Sequence, residues 1–74
     1  MMTEIGLSNE EKIGVIESHI KNAMFNKYNA ELTIIEENAS ASPSAYNIER
    51  ANDTIATAEA QIAALEAQRA ALTE

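Results

Sequence analysis

The stretch Ala39-Ser40-Ala41-Ser42-Pro43-Ser44, near the middle of the chain, decides the fold. It is the most loop-like stretch of the sequence, and Pro43 is the only proline in 74 residues. Ser42-Pro43 reads as an N-cap followed by the first helical position. Proline suits that position because its missing N–H is one that a helix leaves unbonded there, and its fixed φ is already helical. The residue before a proline is pushed out of the α region, so a helix arriving from upstream has to stop by about Ala39 or Ser40. A break here, with a new helix starting at about Pro43, divides the sequence into two nearly equal halves.

Upstream, Ser8-Asn9-Glu10-Glu11 fits a capping box, in which the serine accepts from the Glu11 amide and the Glu11 side chain reaches back to the N-cap amide. The pattern predicts helices over residues 9–39 and 43–73, joined by a turn at 40–42, each about 45 Å long at 1.5 Å per residue. Residues 1–8 form an N-terminal tail and N-cap, and residues 9–74 a single domain. Equal lengths and a short connection favour an all-α, antiparallel two-helix hairpin over one bent rod.

The apolar periodicity agrees with a hairpin. In the second segment Ile48, Ala51, Ile55, Ala58, Ile62, Leu65, Arg69 and Leu72 alternate steps of three and four without a break, a strict heptad seam. In the first, Ile13, Ile16, Ile20, Met24, Tyr28, Leu32, Ile35 and Ala39 step mostly by four, a stutter that predicts weak supercoiling. Folding about residues 40–42 sets Ile13 near Leu72, Ile20 near Leu65, Met24 near Ile62, Tyr28 near Ala58 or Ile55, Leu32 near Ala51 and Ile35 near Ile48. Tyr28 opposite Ala58 and Leu32 opposite Ala51 then set large residues against small ones. Arg69, near a helix end, is expected to snorkel toward Glu17 or Glu66.

Two helices share one line of contact, so a lone hairpin buries little, and the sequence offers further apolar surface. Val15, Phe25 and Ile34 lie off the predicted seam, Tyr46 is an amphipathic surface candidate, and Ala56, Ala60, Ala63, Ala67 and Ala70 make the outer face of the second helix small. These are the candidate interface residues. They point to self-association as a dimer or trimer, coiled-coil-like in packing, or to another helical protein as partner.

Composition narrows the function classes. Twelve acidic against five basic residues give a formal charge of −7, which opposes sequence-independent attraction to nucleic acid or anionic membrane. The chain has no cysteine and a single histidine, His19. Neither a thiolate metal site nor a Cys nucleophile is available, and the Glu-x-x-His spacing of bundle di-metal sites does not occur. No cofactor, metal site or catalytic residue is predicted, so the chain reads as a non-enzyme. Asn38-Ala39-Ser40 and Asn52-Asp53-Thr54 match the glycosylation pattern, yet no secretory signal is evident, so both read as chance. Glu36-Glu37 sits unfavourably for the macrodipole of the first helix and reads as tolerated surface charge.

Glu11-Lys12-Ile13, Ile16-Glu17-Ser18-His19-Ile20-Lys21-Asn22, Lys27-Tyr28-Asn29-Ala30-Glu31-Leu32, Ile35-Glu36-Glu37-Asn38-Ala39 and Asn47-Ile48-Glu49 together resemble small uncharacterised helical proteins encoded by marine tailed bacteriophages. The resemblance spans roughly half of the chain and carries no catalytic or binding motif. It implies a phage structural, assembly or accessory protein, in the infected bacterial cytoplasm or in the virion. The expected function is a non-catalytic structural or assembly role, the alternative being an acidic adaptor or inhibitor that binds a host or phage protein.

Overall fold

The computed structural model describes residues 6–73 and is an all-α hairpin of two helices, α1 (Asn9–Ala39) and α2 (Ala45–Thr73). The capping box at the start of α1 is complete. Ser8 Oγ accepts from the Glu11 N–H at 3.1 Å, and Glu11 Oε1 accepts from the Ser8 N–H at 2.8 Å. Two of the first-turn donors that a helix leaves unpaired are thereby satisfied. At the far end Ser40 is extended, and its N–H and Oγ both donate to the Glu37 carbonyl. The tail predicted at residues 1–8 lies mostly outside the described residues.

The connection is longer than the predicted 40–42. Ser44, not Ser42, caps α2: its Oγ accepts from the Asn47 N–H at 3.1 Å, and its carbonyl takes the first intrahelical bond, from the Ile48 N–H. Pro43 therefore lies one residue before the cap rather than at the first helical position. A serine stands on each side of this proline, and a contact from α1, described below, selects the second.

The seam of α2 lies where the heptad places it. Ala51 and Ala58 are buried, and Ile48, Ile55, Ile62, Leu65, Arg69 and Leu72 are half-buried. On α1 the structure corrects the predicted seam. Ile13, Ile16 and Ile20 are on it, but from there it runs through Ala23, Lys27, Ala30, Ile34 and Glu37, all buried or half-buried. This is the same alternation of three and four as in α2. Met24, Tyr28 and Ile35, expected in the seam, are more than a third exposed, as is Ala39. Ile34, expected off the seam, lies on it. The reason is geometric. At 3.6 residues per turn, each step of four advances the azimuth by about 40°, so the four steps from Ile16 to Leu32 carry a stripe about 160° around α1. A helix that stays in contact with a strict-heptad partner has to repeat every 3.5 residues as its partner does.

The resulting core is thin. Among the described residues five are buried, Ile20, Ala23, Ala30, Ala51 and Ala58, four of them alanines. Alanine from both helices permits close approach of the backbones, toward the short end of the usual 8–10 Å interaxial range. It contributes little apolar area. Across its two short dimensions the molecule measures 17 by 14 Å, a single layer of two helices.

Candidate interaction surface

Glu37 organises the closed end. Its Oε1 accepts from the Ser44 N–H at 2.8 Å and its Oε2 from Asn47 Nδ2 at 2.9 Å, so one carboxylate of α1 binds both the cap and the third residue of α2. In α1 the acid of the capping box is local, at Glu11. In α2 that third position is Asn47, and Glu37 supplies the acceptor from the preceding helix. The Ser44 amide and then the Asn47 amide hold the Glu37 carboxyl below the usual carboxylate range, outweighing a small opposing desolvation. A negative charge at the end of α1 is thus also one at the start of α2, where the macrodipole favours it. Sequence reasoning had read Glu37 as ordinary surface charge.

The two flanks of the seam differ in chemistry. Lys27 and Arg69 both sit at seam positions and both reach to one flank, Lys27 Nζ to Glu59 Oε2 at 3.2 Å and Arg69 Nη1 to Glu17 Oε2 at 3.6 Å. Arg69 pairs with Glu17, one of the two carboxylates proposed for it, and Lys27 is a seam cation that sequence reasoning missed. Glu31 and Glu66 occupy the same heptad position as Glu17 and Glu59, so this flank is acidic and the two seam cations offset part of its charge. The opposite flank is lined by amides and hydroxyls. Asn26, Asn29 and Thr33 of α1 face Asn47, Arg50 and Thr54 of α2 across a shallow groove of about 430 Å³. Beside it the Arg50 guanidinium lies 5.7 Å from the Tyr46 ring centroid and donates to the Tyr46 hydroxyl at 3.2 Å.

His19 is exposed and borders this polar flank beside Asn22, Asn26 and Gln61. Among the described residues no three His, Asp or Glu side chains converge as a metal site would require, and no helix is long and apolar enough to cross a membrane.

Of the candidate interface residues, Val15, Phe25 and Tyr46 are exposed, and so are Ala56, Ala60, Ala63, Ala67 and Ala70 on α2. The structure adds residues expected in the seam: Tyr28 and Ile35 join Phe25 on the side of α1 away from α2, at 58%, 63% and 57% exposure respectively, and Met24, 50% exposed, lies beside them on the flank that carries Glu17 and Glu31. Met24, Phe25 and Tyr28, with the stem of Lys21, line one nearly all-apolar hollow. The chain matches no protein-family model, no curated protein and no solved structure.

Proposed function

We propose that this chain is a non-catalytic structural or assembly protein whose working surface is the apolar exterior of the hairpin, and that it acts as a self-associated oligomer. The observation that carries this is the inversion of its apolar inventory. Among the described residues the buried core is one isoleucine and four alanines, while Leu7, Val15, Met24, Phe25, Tyr28, Ile35 and Tyr46 are all exposed. The chain exposes 5464 Å². A compact monomer of its 8.0 kDa would expose about 4,450 Å². The excess reflects a single layer of two helices with no second layer packed on its exterior.

The resemblance to phage-encoded helical proteins, on the segments quoted above, favours a phage particle or its assembly as the setting. Sedimentation equilibrium at micromolar concentration tests the self-association: the expected mass is two or three times 8.0 kDa. A stably folded monomer across that range refutes it and favours a hairpin completed by a different protein. Stoichiometric recovery of the chain in purified phage particles tests the setting, and its absence from them removes the virion role.

A further inference from the structure

Resting on that self-association, we infer that its interface is the outer face of α1 and that the occupant is the same face of a second copy, packed antiparallel and centred near residue 30. The residues of this face repeat as a second heptad seam. Lys21, Phe25, Tyr28, Leu32, Ile35 and Ala39 alternate steps of four and three without a break, on the side of α1 nearly opposite α2. A seam of this period is what a helix presents to a coiled-coil partner, and of its residues only Leu32 is half-buried, the others being exposed. Phe25, Tyr28 and Ile35 are more than half exposed.

Two features favour a second copy. The seam is pseudo-palindromic: reversing α1 about residue 30 sets Phe25 opposite Ile35 of the partner and Tyr28 opposite Leu32, and the two-fold repeats both contacts. The polar residues at its ends also match, because the same reversal brings Lys21 of one copy within a turn of Glu36 of the other. Phe25, Tyr28 and Ile35 are each more than half exposed and offer roughly 300 Å² per copy, at on the order of 200 Å² per large side chain, so they form the centre of the contact, with Lys21, Glu36 and the half-buried Leu32 around them. Such a contact is isologous and closes at a dimer. Stacking through the acidic flank would instead set Glu17, Glu31, Glu59 and Glu66 against one another.

The experiment uses the absence of cysteine from the chain. Single nitroxide labels are placed on the full-length protein at exposed positions of α1 through Asn29→Cys or Ser18→Cys, and label-to-label distances are read by double electron–electron resonance. An antiparallel pair centred at residue 30 brings the two labels at position 29 to within about 20 Å and separates those at position 18 by roughly 36 Å along the axis, at 1.5 Å per residue. Short distances at both positions mean a parallel pair and overturn the arrangement. A long distance at 29 in a protein that sediments as an oligomer means association through the alanine face of α2 or another surface, which overturns the inference and leaves self-association standing. A folded monomer overturns both. The double variant Phe25→Glu with Ile35→Glu is expected to shift the sedimenting mass to the monomer. If it also unfolds, the label distances in the otherwise unchanged chain still decide.

Discussion

Ala58→Leu tests the close approach of the helices most directly, because the sign of its effect depends on whether there is space at the seam. Leucine adds three carbons, and burying them without strain would stabilise the protein by about 2.4 kcal/mol, at roughly 0.8 kcal/mol per methylene. Ala58 is only 2% exposed, however, and the other buried seam residues nearest the middle of the hairpin are Ala23, Ala30 and Ala51. A longer side chain there has to push the helices apart, which loosens the alanine contacts on both sides. Overpacking of this kind typically destabilises by about 1–3 kcal/mol net. At about 4–8 °C per kcal/mol for a domain of this size, a loss of 2 kcal/mol lowers Tm by roughly 8–16 °C. Ala56→Leu is the control. It makes the same change two residues away on the exposed outer face of α2, where the expected effect is within about 0.5 kcal/mol. Both are measured by thermal circular dichroism at one matched concentration, since the Tm of an oligomer depends on concentration. Equal melting temperatures, or a higher one for Ala58→Leu, would refute the tight alanine seam.

Ile20→Asp, which puts an unpaired charge at a buried seam position, should abolish the cooperative melt, whereas Ile35→Asp on the outer face should leave the hairpin helical in a dilute sample; retained helicity and Tm in Ile20→Asp would mean the core is misplaced. Glu37→Ala should lower Tm and expose the amides of Ser44 and Asn47 to faster hydrogen exchange, and unchanged exchange at both would show that the carboxylate does not hold the turn. Because the folded pKa of Glu37 is depressed, its contribution is present above the unfolded carboxylate pKa and is lost as pH falls through the lower folded value. An acid titration of Tm should therefore show a shallower fall in Glu37→Ala than in the unchanged chain. Lys27→Met should change stability by no more than about 1 kcal/mol, since both members of the Lys27–Glu59 pair remain open to solvent, and a larger loss on chemical denaturation would show that Lys27 stabilises the seam by more than its ion pair.

Local signals in the sequence were sufficient for the architecture. Ser8 and Glu11 satisfy each other within one turn, so the start of α1 is readable from four residues. Pro43 forbids helix just before it, so the break is readable from one. The α2 seam is readable because that helix carries a single stripe of larger apolar residues, with alanine or polar groups elsewhere. α1 was misread because it carries two stripes. Choosing the largest apolar residue at each turn, Met24 and then Tyr28, leaves the inner stripe after Ile20 and arrives on the outer one. The inner stripe continues through Ala23, Lys27 and Ala30, none of which stands out by size. The missing signal was period rather than hydrophobicity, because extending the three–four alternation of Ile13, Ile16 and Ile20 leads to Ala23, Lys27, Ala30, Ile34 and Glu37.

The start of α2 was not readable locally, since Ser42 and Ser44 are chemically equivalent caps on either side of Pro43. Glu37 distinguishes them. Its carboxylate reaches the Ser44 amide at 2.8 Å and Asn47 at 2.9 Å, and that contact exists only once α1 has turned its seam toward α2. Glu37 occupies the last seam position of α1, so the register of the hairpin and the position of the cap are set together. Had the seam followed Met24, Tyr28, Leu32 and Ile35, Glu37 would have pointed away from the turn, leaving the Ser44 amide without this acceptor. The large residues on the outside of α1 follow from the same constraint: a seam ending in Glu37 with alanine at Ala23 and Ala30 places Phe25, Tyr28 and Ile35 on the opposite face.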